Sequence, residues 1–500
     1  MRRALAVSTV VSLVSLVSFV AVGAAVAASD EPPPLFRTEP SALGAPFAQW
    51  NVVVTRSDSD PRLFSLEFDS AAVGQRTTSL VWLPDAYGTD PHDFPVAYFL
   101  HGQGDANTYG AGPTLGDLGV PVPYPFGRPG ASRDFGGIDP AGTAAERDFV
   151  IVGIDNGPTQ WCGHCWYTDS VGDGGVDAER HLLEEVAPLV EALFRVRTDR
   201  GGRAVFGNSM GANGSLLVGF RHPDRFAFVG ALSPTYPNLR NRALFEAWTN
   251  FVWQQYLADQ GYEPPDVAPE RWYALDPLYY AAAVSAAGTE VMTAIGDGCL
   301  PNDGRGVCAM EPATGDPDQE LGFRVSFDAW AQAATEAGVR FTNIQREGAH
   351  DGIQNRDNFV RYFVPRMNEV FAAPVNLPER FSFRSVDPVV DIFGWSLAVD
   401  RPNVEALHVL GARTDGTEIT LAGTGTVHVT TPPLGAHHPY RVLVTPDGGD
   451  TVEVAATTDG AGRVSFTVVL GPTRTENATR ELVESGLMQF PHTAVRIVPA

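Results

Sequence analysis

The sequence predicts an α/β domain followed by a smaller all-β domain. Between about residues 46 and 371, short apolar runs alternate with helical patterns, which is typical of an α/β fold. Several of these runs are apolar at consecutive positions, as expected for strands buried on both faces of a parallel sheet. From residue 381 onward, period-two alternation between turn signals predicts an immunoglobulin-like β-sandwich.

The first 45 residues precede the predicted domains. Arg2 and Arg3 followed by an apolar stretch that ends in small residues at Ala28 match a secretory signal peptide, so residues 1–28 are predicted to be cleaved on export. The run is long enough to span a bilayer, but interspersed serines favour cleavage over a retained membrane anchor. Residues 29–45, rich in Pro, Ala and Ser, are predicted to form a flexible lead-in.

Composition excludes several classes of function. The formal net charge of −24 predicts repulsion from nucleic acids and anionic lipid surfaces, so no nucleic-acid partner is expected. All 35 basic residues are arginine. Schiff-base chemistry, Ser-Lys dyads and P-loop ATPase motifs all need a lysine and are therefore excluded.

The first domain contains a series of strand-like runs and one clear amphipathic helix. The runs are Val96–Leu100, Phe149–Ile154, Arg203–Phe206, Phe228–Leu232, Val291–Ile295 and Phe341–Gln345. An apolar stripe predicts a helix over Asp177–Val196, with Asp177 as its N-cap. The Gly- and Pro-rich stretch 105–145 is too long for an ordinary connection, which is typical of a functional cover or a poorly ordered loop.

A linker at residues 372–380, which contains Pro374 and Pro378, separates the two domains. Period-two runs then predict the strands of the second domain: Phe381–Val386, Val390–Val399, Ala406–Ala412, Glu418–Thr430, Tyr440–Thr445, Thr451–Ala456, Arg463–Leu470 and Thr493–Val498. Several are separated by Asp-Gly pairs, which favour tight turns.

The strongest chemical signal is a G-x-S-x-G motif centred on Ser209. Such a motif also occurs in Gly-Ser turns that have no chemical role, so the neighbouring sequence must distinguish a nucleophile elbow from an ordinary turn. A strand-like run over residues 204–206 precedes it, and residues 211–220 can form a helix. Strand, sharp turn and helix are what the nucleophile elbow of an α/β-hydrolase requires. We therefore predict that Ser209 is a nucleophile.

A serine nucleophile needs a base and a carboxylate that orients the base. His350 follows the last predicted strand of the domain, where this fold places its histidine, in the chain order Ser, acid, His. The acid must lie between Ser209 and His350. Asp297, Asp318 and Glu320 all satisfy this order, and spacing alone does not choose among them.

Five motifs carry a family resemblance. They are the elbow itself, R-H-P-D-R-F at 221–226, A-L-S-P at 231–234, and V-W-L-P-D-A-Y at 81–87 with Y-F-L-H-G at 98–102. Over roughly residues 50–371 the chain resembles the esterase D and antigen 85 family. That family includes feruloyl and acetyl esterases, S-formylglutathione hydrolases and mycolyltransferases, and uses a Ser-Asp/Glu-His triad on an α/β-hydrolase fold.

The resemblance implies several roles. Feruloyl-esterase-like members carry the acid shortly before a Gly-Phe pair and the next helix, which favours Asp318. The backbone N–H groups of Gln103 and Met210 correspond to the family's oxyanion hole. The turn H-G-Q-G at 101–104 resembles hydrolytic members, which favours hydrolysis over mycolyl transfer. The segment W-Y-T-D at 166–169 is similar to an antigen 85 segment, so acyl transfer stays an alternative.

The cysteines are predicted to form disulfides, because the chain is predicted to be exported and their number is even. Three pairings are possible, and the local one, Cys162 with Cys165 and Cys299 with Cys308, is favoured because its loops are the shortest. The segment W-C-G-H-C is identical to a thioredoxin-type redox motif, but its place in a hydrolase loop favours a structural disulfide. The His437-His438 pair is interpreted as a polar turn, and no metal site is predicted.

The sequence thus predicts a secreted serine carboxylesterase that needs no cofactor and acts on a small-molecule or polymer-linked ester. The first alternative is an acyltransferase that moves an acyl group to a sugar or lipid alcohol. The second is an inactive scaffold whose β domain binds cell-wall polymer or carbohydrate.

Overall fold

The computed structural model describes residues 32–58, 60–102, 138, 140–155, 166–172, 174–234, 257–297, 317–348, 350, 352–485 and 488–500. Side chains of residues 317–322, 352 and 353 are not part of this description. The predicted signal peptide, the four cysteines, Gln103 and most of the 105–145 stretch lie outside the described residues. Within the described ranges, no helix is both long and apolar enough to cross a membrane.

A mixed sheet forms the centre of the first domain. Its strands are β1 (Val53–Arg56), β2 (Leu63–Ser70), β3 (Gln75–Trp82), β4 (Val96–Leu100), β5 (Val150–Gly153), β6 (Arg203–Asn208), β7 (Phe228–Leu232), β8 (Glu290–Gly296) and β9 (Arg340–Arg346). Their order across the sheet is β1-β2-β3-β5-β4-β6-β7-β8-β9. The pairs from β1 to β3, and β3 with β5, are antiparallel, whereas neighbours from β5 to β9 are parallel.

The six predicted strands of this domain are confirmed, with ends shifted by at most two residues. Strands β4, β5, β6, β7 and β8 are buried along nearly their whole length, as their continuous apolar runs predicted. Because the carboxyl ends of parallel strands meet at one edge of a sheet, the loops after β4, β6, β8 and β9 lie close together. The predicted site residues belong to these loops.

Helices cover both faces of this sheet. They are α1 (Ala178–Arg180), α2 (Ala187–Leu193), α3 (Met210–Arg221), α4 (Pro269–Tyr273), α5 (Ala281–Ala287), α6 (Pro317–Glu336), α7 (Gly352–Asn358) and α8 (Val364–Ala372). Two π-helical segments, His181–Val186 and Phe359–Phe363, join α1 to α2 and α7 to α8. Short 3₁₀ turns lie at Pro40–Ala42, Phe47–Gln49, Asp85–Gly88, Arg200–Gly202, Ala258–Gln260 and Pro277–Tyr280.

The helix predicted over Asp177–Val196 extends from Ala178 to Leu193. The prediction that the Asp177 side chain caps it is wrong. Its Oδ1 accepts hydrogen bonds from the backbone N–H and the hydroxyl of Ser170 instead, at 3.1 and 2.7 Å. Ser170 in the preceding loop therefore occupies the side-chain oxygen of Asp177 that would otherwise cap the helix.

The lead-in packs against the first domain from about Pro34 onward. The Phe36 ring lies 5.4 Å from that of Phe194, and the N–H of Arg37 donates to the Leu193 carbonyl at 2.7 Å. This part differs from the flexible segment that composition predicted, because one aromatic side chain among its Pro and Ser residues fits the edge of the core.

Two antiparallel sheets form the second domain. The strands are β10 (Arg380–Ser385), β11 (Val389–Ile392), β12 (Trp395–Asp400), β13 (Leu407–Arg413), β14 (Glu418–Ala422), β15 (Gly425–Thr430), β16 (Pro439–Pro446), β17 (Val452–Thr457), β18 (Ser465–Gly471) and β19 (His492–Pro499). One sheet has the order β10-β13-β14-β19-β16-β17 and the other β11-β12-β15-β18. Apolar side chains of both sheets belong to one buried cluster, which confirms a sandwich.

Two of the predicted strands are each split into two. Phe393 and Gly394, with φ of 48° and 84°, form a turn within the run Val390–Val399. Positive φ at Gly423 and Gly425 breaks the second run and lets the chain pass from one sheet to the other. A short helix, α9 (Arg480–Ser485), was not predicted.

The two domains pack directly against each other. Arg221, at the end of α3, forms an ion pair of 2.6 Å with Asp387 of the β domain. The guanidinium of Arg384 lies 3.7 Å from the centroid of the Tyr279 ring, a cation–π contact that also crosses the interface. The sandwich is therefore part of the folded body.

Candidate active site

Ser209 lies at the sharp turn between β6 and α3. Its φ of 53° and ψ of −117° are uncommon for a residue with a side chain, and such a conformation costs on the order of 1–3 kcal/mol. Two backbone hydrogen bonds hold it: Ser209 donates to the Leu232 carbonyl at 2.9 Å, and its carbonyl accepts from the N–H of Asn213 at 3.1 Å. The strand, turn and helix that the motif predicts are all present.

The two glycines of the motif are required by close backbone approaches. A Cβ built on Gly211 would lie 2.0 Å from the carbonyl oxygen of Leu100, the last residue of β4. One built on Gly207 would lie 2.3 Å from the Gly211 carbonyl oxygen. Because these neighbours are backbone atoms, any larger residue would push the turn away from β4.

His350 lies beside Ser209, although 141 positions separate them in the chain. Its Nε2 is 2.9 Å from Ser209 Oγ, a hydrogen-bond distance. The imidazole follows β9 and is partly buried, with the Phe323 ring of α6 edge-on at 5.3 Å. The structure thus brings together the predicted nucleophile and the predicted base.

The three candidate acids lie at two places. Asp297 directly follows β8, and its Oδ1 accepts a hydrogen bond of 3.2 Å from the N–H of Gly348, two residues before His350. Asp318 and Glu320 lie in the first turns of α6, which begins at Pro317. The resemblance predicted the acid before a helix, whereas both residues are inside it.

The helix that follows Ser209 provides one side of the predicted oxyanion hole. Met210 is the first residue of α3 and is buried. The first N–H groups of a helix have no partner within it and carry partial positive charge, which suits a developing oxyanion. The other predicted donor, Gln103, lies outside the described residues, and the described chain before it ends at Gly102.

His101, which chain order excluded as the base, serves the backbone of its own turn. The buried imidazole places Nδ1 2.8 Å from the carbonyl oxygen of Gly102. A carbonyl oxygen can only accept, so Nδ1 carries the hydrogen. The His101 carbonyl in turn accepts from the hydroxyl of Tyr167 at 3.0 Å.

Sequence reasoning missed the importance of the segment 166–169. The only signal in the sequence was the similarity of W-Y-T-D to an antigen 85 segment, which gave no role for any of these four residues. In the structure, Tyr167 contacts the turn after β4, and burial together with the nearby Glu179 charge raises the pKa of Asp169 to about 7. The predicted disulfides and the W-C-G-H-C motif directly before this segment lie outside the described residues and stay predictions.

Comparison with known proteins agrees with this geometry. Residues 70–315 match the family model described as "Putative esterase". Esterase Rv1288 of Mycobacterium tuberculosis is 29% identical over 200 residues, which are 40% of this chain and 38% of that protein. An endo-1,4-beta-xylanase/feruloyl esterase of Xylanibacter ruminicola is 27% identical over 174 residues, which are 33% and 20% of the two chains.

The chain also has similarity to a solved structure. Mycobacterium tuberculosis MPT51 is 18% identical, with 61% of this chain and 96% of that chain covered and a TM-score of 0.38. The chain spans 38% of the length of its mycobacterial esterase relative.

The sheet order, the strained serine turn and the adjacent histidine are those of an α/β-hydrolase fold. The matching family model and the esterase relative are similar to this domain, in line with the esterase resemblance that the motifs indicated.

Proposed function

We propose that the protein is a secreted serine carboxylesterase that works through an acyl-enzyme. The observation that carries this proposal is the 2.9 Å contact between His350 Nε2 and Ser209 Oγ at the strained turn. A serine hydroxyl is a weak nucleophile until a neighbouring base removes its proton, and this contact supplies that base.

The reaction begins when Ser209 Oγ attacks the ester carbonyl carbon while its proton passes to His350 Nε2. The backbone N–H groups of Met210 and Gln103 stabilise the oxyanion. Collapse of the tetrahedral intermediate breaks the bond to the alcohol, which takes the proton from His350. Water, activated by His350, then attacks the acyl-enzyme and releases the carboxylic acid. Asp318 orients His350 throughout.

The first test is hydrolysis of short p-nitrophenyl esters by the wild type and by Ser209→Ala and His350→Ala. Losing the nucleophile or the base is expected to lower kcat by at least about 10³-fold, with the fold unchanged by circular dichroism. A serine-directed phosphonate is expected to label Ser209 in the wild type. Equal activity of wild type and Ser209→Ala, or labelling elsewhere, would refute the proposal.

The identity of the acid is tested by three isosteric variants, Asp318→Asn, Asp297→Asn and Glu320→Gln. Neutralising the residue that accepts from the histidine is expected to lower kcat by about 10³–10⁴-fold, because the wrong tautomer is then favoured. Asp297→Asn keeps an oxygen that can accept from Gly348, so a supporting role predicts a loss below about 10-fold. A large loss at Asp297 alone would make that residue the acid in place of Asp318.

Substrate class is proposed from the relatives, one of which is named a feruloyl esterase. A panel of acetyl, feruloyl and longer acyl esters tests it, and feruloyl or acetyl esters are expected to give the highest kcat/KM. Acyl transfer is the alternative within enzymes. Product analysis with added sugar or lipid alcohols separates the two, because transfer yields a new ester whereas hydrolysis yields only free acid.

We also propose export and contact with extracellular polymer. Cleavage after residue 28 predicts a mature N-terminus near Ser29, which sequencing of the exported protein checks. Full-length Ser209→Ala incubated with cell walls or insoluble polysaccharide tests binding through the β domain. No cofactor enters the proposed reaction, and its substrate is a small-molecule or polymer-linked ester.

A further inference from the structure

The segment from Trp166 to Asp169 has an unusual backbone beside the catalytic turn. Trp166 and Tyr167 both have left-handed φ values, 53° and 57°, and both are buried. Consecutive bulky residues rarely adopt this conformation, because the side chain approaches the following carbonyl. The surrounding contacts must therefore hold the segment in place, and those contacts lead to the catalytic machinery.

One contact joins Tyr167 to the turn after β4. The hydroxyl donates to the His101 carbonyl at 3.0 Å, and the two rings pack edge to face with centroids 5.9 Å apart. Tyr167 is only 1% exposed, so little water competes for this hydrogen bond. The hydroxyl therefore fixes the backbone of the residue that precedes Gly102.

A second contact joins the same ring to α3. A Cβ built on Gly214 would lie 2.4 Å from Cδ2 of Tyr167, so the ring lies directly against the helix backbone. Gly214 is one turn beyond Met210, the residue proposed as an oxyanion donor. Tyr167 thus fills the space between the helix that carries one proposed donor and the turn that leads to the other.

The turn itself passes this restraint on to the next peptide. His101 Nδ1 donates to the Gly102 carbonyl at 2.8 Å. The two hydrogen bonds together hold the turn as far as Gly102, its last described residue. Tyr167 therefore restrains the turn after β4 as well as helix α3.

From these contacts we infer that Tyr167 is a positioning residue that sets the spacing between the turn after β4 and helix α3, which carries the proposed oxyanion donor Met210. It acts through the His101 backbone and α3 and does not touch the reacting atoms. This inference rests on the proposed esterase function. It predicts that Tyr167 affects the transition state more strongly than substrate binding, because the oxyanion exists only after attack.

The test compares two substitutions that each remove one buried hydroxyl. Tyr167→Phe removes the hydrogen bond to His101 and keeps the ring. Tyr280→Phe is the matched control, because Tyr280 is also 1% exposed and its hydroxyl donates to the carbonyl of Ala274 at 3.0 Å, away from the serine turn. Both variants are checked for folding by urea unfolding before kinetics are measured.

Tyr167→Phe is expected to lower kcat for p-nitrophenyl esters by about 10-fold to 100-fold, with KM within about 2-fold of wild type. Loss of an entire oxyanion donor typically costs about 10²–10³-fold, and a loosened donor costs less. Phosphonate labelling of Ser209 is expected to slow by a similar factor, because the tetrahedral phosphonyl oxygen needs the same donors. The control is expected to keep kcat and the labelling rate within about 2-fold.

Gly214→Ala gives a second route to the same test, since its added methyl group displaces the ring from the opposite side. It is also expected to lower kcat with little change in KM. Wild-type kcat and labelling rate in Tyr167→Phe would overturn the inference, and so would equal losses in Tyr167→Phe and Tyr280→Phe. In both cases an active wild type labelled at Ser209 would leave the esterase proposal intact. An inactive, unlabelled wild type would refute the esterase proposal itself.

Discussion

Asp169 gives the structure a pH-dependent stability that one substitution should remove. Its Oδ1 accepts from the backbone N–H of Arg180 at 2.9 Å, and its pKa is raised to about 7 by burial and by the neighbouring charge of Glu179. Asp177 also raises this pKa, whereas Arg221 lowers it. Asp169→Asn keeps an oxygen that can accept from Arg180 but cannot ionise.

The raised pKa of Asp169 makes the folded protein bind more protons than the unfolded chain does. An aspartate has an ordinary pKa of 3.8, so between about pH 4 and pH 7 the folded protein retains a proton that the unfolded chain has lost. The free energy of unfolding therefore falls as pH rises through this window. At about 1.4 kcal/mol per pH unit, the loss between pH 5 and pH 7 is at most about 3 kcal/mol. Solvent access to the partly exposed carboxyl group reduces the expected loss to about 1–2 kcal/mol.

Urea unfolding of both proteins at pH 5, 6, 7 and 8 measures this effect. The stability of Asp169→Asn relative to wild type is expected to increase by about 1–2 kcal/mol from pH 5 to pH 8. Asp415→Asn is the control, because a hydrogen bond from Arg413 lowers the pKa of Asp415 to about 2, and it is ionised in both states throughout this range. A difference for Asp169→Asn that stays constant with pH, as expected for the control, would refute the reasoning.

Three further predictions concern the turn at Ser209, the interface between the two domains and the core of the β domain. Gly211→Ala is expected to lower kcat at least about 100-fold and the free energy of unfolding by about 1–3 kcal/mol, since its Cβ would lie 2.0 Å from the Leu100 carbonyl oxygen. Asp387→Asn is expected to cost about 1–3 kcal/mol in urea unfolding, because it removes a charged partner of Arg221. Trp395→Ala is expected to cost about 3–5 kcal/mol because its side chain is fully buried, and Trp395→Phe clearly less.

Strands of the parallel sheet were predictable because their pattern is local. The strand Phe228–Leu232 is buried on both faces, so its run of consecutive apolar residues predicts a buried strand. Strand β15 shows the opposite case. The period-two alternation continues through Gly423 and Gly425, and only their positive φ values reveal that the chain changes sheets. Glycine permits that break without requiring it.

The closeness of Ser209 and His350 was predictable for a different reason. The elbow motif encodes its own geometry, since Gly207 and Gly211 stand where a side chain would bring its Cβ within 2.3 Å of backbone atoms. His350 follows from chain order in the fold. The acid was less predictable, because Asp297 and Asp318 both follow β8 and their distance from His350 depends on how the intervening chain folds.

The role of Tyr167 was not accessible from sequence at all. Nothing in a Trp-Tyr pair signals a left-handed backbone. The hydroxyl and ring of Tyr167 contact His101, in the turn after β4, and Gly214 of α3, both far from Tyr167 in the chain. Such a residue is defined by the space between two other elements. Contacts of this kind leave no local sequence pattern, so only the structure reveals them.

Helix α3 is anchored at both ends, and the β domain supplies one of the anchors. At its start, the strained turn at Ser209 is bonded to the neighbouring strand β7 through the Leu232 carbonyl. At its end, Arg221 pairs with Glu179 at 3.2 Å and with Asp387 at 2.6 Å, and a cation in the last turn also suits the helix dipole. Removing one of the two partners is expected to cost about 1–3 kcal/mol, because the buried charge is then left incompletely paired. Since Asp387 belongs to the β domain, that domain helps to hold the helix that follows Ser209.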